Sequence, residues 1–377
     1  MTPPQLLDRL QLELKQFEIA GLQRGLSVDK LIDFTSNDYL GLARSRELFD
    51  MIADQTQLFQ DRFNGATGSR LLSGNSALAE EVESQLAEIF QTESALLFNS
   101  GYSANLGVLS SLPKRNDTII YDEFAHASIK DGARLSLARR LSFRHNDLED
   151  LENKLKHATT GHTFIVVESI YSMDGDRCPL IELAALAEKA NATVILDEAH
   201  STGVEGYHGG GMALSLGIQN KIGVRIHTFG KAMGCHGACV AGPLLLRQYL
   251  INTSRPFIYT TALPPHALIT VSCAFKFLQS HGDLIRQLEQ KVKCFANAVS
   301  GSTPFVSSGT AIQRVVIAGN ERVTRAASAL RGKGFDIRPI RRPTVPAGAE
   351  RIRICLHAFN SDEDIQALAG EINKLEY

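Results

Sequence analysis

An aspartate at the end of one apolar run and a lysine at the end of another are the residues of this sequence best suited to do chemistry. Thr193-Val194-Ile195-Leu196 is unbroken by charge and stops at Asp197-Glu198-Ala199-His200, while Val224-Arg225-Ile226-His227-Thr228 leads through Phe229 and Gly230 to Lys231. Such runs read as strands buried on both faces, with carboxyl ends emerging into a crevice. Ligands of open α/β sheets bind outside such ends, which puts Asp197, His200, Thr228 and Lys231 in one candidate catalytic site. A lysine enclosed between a sheet and a ligand loses proton affinity through burial and can form a Schiff base with an aldehyde. A carboxylate against a pyridine nitrogen keeps that ring protonated and able to accept carbanion electrons, and a histidine can orient a ring hydroxyl. Taken singly, Asp197 also reads as a turn residue and Lys231 as a solvated strand end; as an ordered set they are the inventory of a pyridoxal phosphate site.

Other stretches supply what such a cofactor and its substrate need. Ala95-Leu96-Leu97-Phe98 runs into Asn99-Ser100-Gly101-Tyr102-Ser103 and then a helical stretch from Ala104. Strand, small-residue turn and helix aim free backbone amides at an anion. The cofactor phosphate is therefore expected against Ser100, Gly101 and Tyr102, with the Thr228 hydroxyl opposite; a plain helix cap is the other use of this turn. His126 follows the strand Asp117–Tyr121 and is placed to stack on the ring, or to serve structure alone. Arg341, Arg342, Arg351 and Arg353 stand close in sequence, and in a strand Arg351 and Arg353 share a face. A guanidinium is the natural holder of a substrate carboxylate, and Arg353 is the candidate; pairing with acidic side chains is the alternative.

The elements that must position these groups follow from periodicity. Pro179 opens a helix with Leu183, Leu186 and Ala190 on one face that leads into the Thr193 strand, a β-α-β unit implying a parallel sheet with right-handed crossover. Ala238–Ala241 follows Lys231 without a long crossover, so an antiparallel strand is expected there. Leu6, Leu10, Leu14 and Phe17 stripe a leading helix that packs across the main domain or a partner subunit, and Phe34 begins a short strand entering a polar turn. Leu284, Leu288, Val292, Phe295 and Val299 stripe a bridging helix. Beyond it come strands at 312–317, 335–340 and 351–356 and a last helix with the capping signature Ser361-Asp362-Glu363-Asp364. The expected organisation is α/β: an amino-terminal segment over 1–40, a large domain with a mostly parallel sheet over 41–283, and a smaller α+β domain over 284–377.

Composition narrows the partners. Lys and Arg number 39 against 41 Asp and Glu, a net charge of −2, which gives no basic field for nucleic acid or an anionic membrane. No apolar run approaches the roughly 18 residues of a membrane span, and the amino terminus lacks a basic-then-apolar leader pattern, so a cytoplasmic protein acting on small molecules is expected. The six cysteines form no paired framework, and Cys235-His236-Gly237-Ala238-Cys239 lacks the second pair a zinc site needs; no metal is expected.

Several of these stretches are similar, in order, to the motifs of the α-oxoamine synthases, a branch of the fold-type I pyridoxal phosphate enzymes. They are Ser36-Asn37-Asp38-Tyr39-Leu40-Gly41-Leu42, Thr67-Gly68-Ser69-Arg70, Ser172-Met173-Asp174-Gly175-Asp176, Asp197 to Gly203, and Thr228-Phe229-Gly230-Lys231. The resemblance implies that Lys231 carries the cofactor, Asp197 pairs with the ring nitrogen, His126 stacks on the ring, His200 and Ser172 contact the hydroxyl side and Thr228 binds phosphate. It also implies a homodimer with shared active sites, because Thr260 and Thr261 match positions that reach the neighbouring subunit's phosphate. Arg353 matches the substrate-carboxylate arginine, Arg341 a position at the acyl end, and Asn37 a substrate contact. Pro343-Thr344-Val345-Pro346-Ala347-Gly348 and the absence of an amino-terminal extension resemble the branch that joins a pimeloyl thioester to L-alanine. Two departures concern the acyl end: Ala79 stands where relatives often have histidine, and only Arg24 or Gln23 lies near the family's amino-terminal arginine. Glycine-using and long-chain acyl transfers on the same scaffold, an aminotransferase and a cofactor-binding regulator are the alternatives.

Overall fold

The computed structural model describes residues 4–26, 28–59, 63–299 and 304–375. Its centre is a seven-stranded sheet in the order Ser94–Phe98, Ala238–Gly242, Val224–Thr228, Thr193–Asp197, Thr163–Glu168, Thr118–Asp122, Arg139–Phe143. Ala238–Gly242 runs antiparallel to both neighbours, as its short connection to Lys231 requires, and the remaining pairings are parallel. Helices cover both faces, which is why the central runs carry no polar alternation. Val194 and Leu196 enter one core while Ile195, between them, enters the other, the two-residue period of a strand with no wet face. Because these strands are parallel, Asp122, Glu168, Asp197 and Thr228 all end at one edge.

A three-stranded antiparallel sheet, Arg338–Ile340, Arg351–Cys355 and Ile312–Val316, forms the smaller layer. It packs with the helices Asp283–Ala298, Asn320–Gly332 and Asp362–Ile372 around Val315, Ile352, Ile354 and Ile365. The expected strand over 335–340 is two: Phe335–Asp336 pairs in parallel with Ile32–Asp33, and the chain turns at buried Ile337 before Arg338 joins the other sheet. The short strand expected from Phe34 lies at Ile32–Asp33 instead, because Phe34 fills the smaller layer's core, edge-on to Phe335 with ring centres 6.0 Å apart. Ser361 caps the last helix through the Asp364 amide at 3.0 Å. The leading helix Pro4–Ile19 does not lie across the body of its own chain: Leu6, Leu10, Leu14 and Phe17 are exposed. Among the described residues no helix is long and apolar enough to cross a membrane.

Two ionic clamps hold the turns that border the crevice. Asp174 pairs with both Arg314 and Arg351, tying the 172–176 turn to the smaller sheet. On the other side His145 lies between Asp122 at 3.0 Å and Asp176 at 2.6 Å, and Asp122 also accepts the Phe124 amide at 2.7 Å, so the turn carrying His126 is fixed to the same segment. Burial pulls the His145 imidazole down, but the hydrogen bonds and charges of the two aspartates outweigh it and raise its pKa to about 9. The sign follows: a pKa raised above the unfolded value of about 6.5 stabilises fully below that pH and loses its contribution as pH climbs through about 9. Urea midpoints should therefore fall between pH 6.5 and 9 more steeply for the natural protein than for His145→Gln. Identical slopes would show that His145 is not charged in the folded chain.

Candidate active site

At the carboxyl edge of the large sheet a cavity of about 250 Å3 is bordered by Asn37, Ser100, Gly101, Tyr102, His126, Asp197, Thr228 and Lys231. Eight residues singled out from sequence thus meet in one place. Lys231 leaves the Val224–Thr228 strand by a tight turn, and its Nζ lies 2.9 Å from His200 Nε2. His200 is buried at the end of the neighbouring strand's turn, its Nδ1 2.7 Å from the Tyr39 hydroxyl. Asp197 accepts from the Ala199 amide at 2.9 Å and from Asn105 Nδ2 at 2.7 Å. Asn105 also donates to Ser128 Oγ at 3.1 Å, and Ser128 lies 2.7 Å from His126 Nδ1. The imidazole and the carboxylate are thereby held by one hydrogen-bonded chain, and Glu168 accepts the His126 amide at 2.6 Å.

Sequence reasoning passed over Asn105, Ser128 and Glu168. Glu168 ends an apolar run as Asp197 does, and Asn105 stands one helical turn past Gly101; both signals were there to be read.

The electrostatics follow from enclosure. Burial lowers the Lys231 amine below its ordinary value although Asp197 and Glu168 pull it upward, so its neutral, nucleophilic form is within reach near neutrality. Burial also raises Glu168, with Asp197 adding, and holds His200 well down, with Lys231 and Arg353 adding. His126 is lowered by burial as well.

The residues fit pyridoxal phosphate on structural grounds. Gly101 opens the helix Gly101–Ser111, whose first-turn amides have no intrahelical acceptor, and a Cβ built on it would meet Thr228 Cγ2 at 2.3 Å. Only glycine lets this helix start, with its free amides, approach the strand end so closely. Ser100 is also a helix cap: its Oγ accepts the Ser103 amide at 3.2 Å within a capping box, so both uses of the turn coexist. Asp197 faces the cavity with carboxylate oxygens, and Lys231 supplies the amine.

Arg353 enters from the smaller sheet. Its Nε donates to the Ser172 carbonyl at 2.7 Å and one terminal nitrogen to Asn37 Oδ1 at 2.9 Å, and among the described residues no carboxylate pairs with it. Arg351 differs because its partner is Asp174. Ser172 and His126 border a larger cavity of about 710 Å3, opposite Lys130 and the 342–347 segment. There Arg342 lines the wall together with the Asp174-paired Arg351; Arg341 bonds the Gly21 carbonyl on the amino-terminal segment, and Arg24 is exposed. Thr260 and Thr261 do not border their own chain's 250 Å3 cavity: Asn99 Nδ2 donates to Thr260 Oγ1 at 2.9 Å and to the Thr261 carbonyl at 3.0 Å.

Residues 29–372 match the family model described as aminotransferase class I and II. The chain belongs to that family. Within it the chain is an α-oxoamine synthase, and pyridoxal phosphate is the cofactor typical of the family. It is 38% identical over 407 aligned positions to an 8-amino-7-oxononanoate synthase of Emericella nidulans, covering 98% of this chain and 96% of that one. Its structure resembles a serine palmitoyltransferase variant from S. paucimobilis with a bound PLP–myriocin aldimine, with TM-score 0.88, 26% identity and coverage of 98% and 97%. It also resembles the 8-amino-7-oxononanoate synthase of Francisella tularensis, with TM-score 0.77, 29% identity and coverage of 92% and 98%. The expected fold-type I architecture, with a mixed seven-stranded sheet beside a smaller antiparallel one, is what the chain has.

Proposed function

We propose that this α-oxoamine synthase condenses L-alanine with a pimeloyl thioester, on coenzyme A or a carrier, to give 8-amino-7-oxononanoate, carbon dioxide and free thiol. The observation that carries it is the Arg353 guanidinium, which has no carboxylate partner among the described residues and bonds Asn37 on the wall of the Lys231 cavity and the Ser172 carbonyl on the wall of a second one roomy enough for an acyl chain. The names of the relatives and the Pro343–Gly348 stretch on the wall of that second cavity support the pimeloyl branch.

Lys231 would hold the cofactor covalently, Asp197 its ring nitrogen, His126 its face, His200 and Ser172 its hydroxyl side, and Gly101, Tyr102 and Thr228 its phosphate. Bound there, pyridoxal phosphate supplies an electron sink for the α-carbon. The chain does the rest. Arg353 grips the amino-acid carboxylate in a fixed fork, the Lys231 amine takes the α-proton, and Lys130 and Arg342 give the acyl cavity a positive rim. The exposed leading helix and the position of Thr260 and Thr261 outside their own cavity support a homodimer with shared sites.

A thiol-release panel tests the reading: alanine, glycine and serine, each against pimeloyl, acetyl, succinyl and palmitoyl coenzyme A. Alanine with pimeloyl coenzyme A should react fastest. Preference for glycine or serine would assign the chain to another branch, and keto-acid conversion without thiol release would make it an aminotransferase.

A further inference from the structure

This inference rests on the acyl condensation proposed above, whose protons do not balance inside the site. The α-hydrogen leaves as one proton. The expelled thiolate takes a proton on sulfur, and loss of carbon dioxide leaves an electron pair on the α-carbon that takes another. One proton per turnover must therefore enter from solvent. With an amino acid on Arg353 and an acyl chain in the 710 Å3 cavity, substrates fill the front opening and exclude water there.

Behind Lys231 lies another route. His200 and Tyr39, 4% and 1% exposed, both border a separate cavity of about 320 Å3 between the helix Asp283–Ala298 and the 307–312 segment. Glu289 and Lys293 at its mouth are exposed, and the Arg177–Glu205 ion pair lies on its wall at 2.6 Å, so the space is both roomy and polar enough for water. From it the hydrogen bonds run inward: Tyr39 Oη to His200 Nδ1 at 2.7 Å, and His200 Nε2 to Lys231 Nζ at 2.9 Å.

We propose that Tyr39 and His200 form a proton relay carrying solvent protons from this rear cavity to Lys231. A proton arriving on the phenol oxygen releases the phenol's own hydrogen to Nδ1, and Nε2 passes its hydrogen to the amine, so each bond broken is matched by one formed. Asn37 Oδ1, 3.1 Å from the phenol oxygen, accepts the hydroxyl hydrogen once the transfer is complete. The groups facing the imidazole are Tyr39, Lys231, Arg353 and His126, and burial together with the charges of Lys231 and Arg353 keeps it neutral, a carrier of protons and not a store. Tyr39 acts through His200 and is a positioning residue.

The test follows α-deuterated L-alanine in the cofactor-loaded protein, with an unreactive thioether analogue of pimeloyl coenzyme A filling the 710 Å3 cavity, and measures deuterium washout into water by proton NMR. Tyr39→Phe keeps the ring and cuts the relay; washout should slow on the order of tenfold to a hundredfold, while KM for alanine stays within about twofold. A merely structural Tyr39, acting through Asn37 on Arg353, would move KM instead. Ala296→Trp takes up space in the rear cavity while leaving Tyr39, His200 and Lys231 unsubstituted, and should slow washout in the same way. In cofactor-free protein, histidine nitrogen NMR should show the Nδ1 hydrogen bond of His200 lost in Tyr39→Phe. Undiminished washout in either variant, beside a natural protein that exchanges deuterium and releases thiol, overturns the relay alone. A natural protein that does neither would sink the proposed function and the relay with it.

Discussion

Lys231→Ala should lower turnover on the order of 10⁴-fold, the upper end of what one positioned proton-transferring side chain supplies, because the same amine is both cofactor anchor and base. The loss should reside in chemistry and not in folding. Lys231 is enclosed with its proton affinity lowered by burial, its Nζ contacts His200 Nε2 at 2.9 Å, and among the described residues it forms no salt bridge for the substitution to break. Urea midpoints of the two proteins should agree closely, while thiol release from pimeloyl coenzyme A and alanine all but stops. Borohydride reduction of the loaded protein supplies an independent readout: the cofactor's mass should be fixed to the peptide containing Lys231 in the natural protein and to no peptide in the variant. Full turnover by the variant would remove Lys231 from the reaction.

Arg353→Ala should act on the amino acid. Removing one partner of a buried charged hydrogen-bonded pair costs about 2–5 kcal/mol, a factor of roughly 30 to 4,000 at 1.4 kcal/mol per tenfold. The increase belongs in KM for alanine, with KM for the acyl thioester moving little. Arg353→Lys should recover only part of it, because an ammonium cannot keep the Ser172 carbonyl, Asn37 and a carboxylate in one planar fork. An unchanged alanine KM in both variants would assign Arg353 to holding Ser172 and Asn37 in place and nothing more.

Local pattern was enough for part of this site. A strand buried on both faces writes itself as an unbroken apolar run, and the residue that ends the run stands at the sheet's carboxyl edge whatever surrounds it. Asp197, Thr228 and Lys231 were legible for that reason, as was Gly101 at a strand-to-helix turn. The antiparallel Ala238–Gly242 strand was legible because its connection is too short for a crossover.

Other features depend on neighbours far away in the chain. Tyr39 meets His200 across 161 positions and Asn105 meets Asp197 across 92, contacts that exist only once the layers are packed. Arg351 and Arg353 share a strand face and are chemically alike, yet Asp174 neutralises one and leaves the other for a ligand. Arg341 and Arg342 are adjacent, and the turn after Ile340 sends one to the amino-terminal segment and the other to the cavity wall. The sequence by itself determined the strand ends and the amine that emerges from them, because a buried run imposes its own geometry. Tertiary structure alone decided which cations stay unpaired and which hydrogen bonds reach the amine, because a side chain's charge is spent or spared by whatever the fold brings against it.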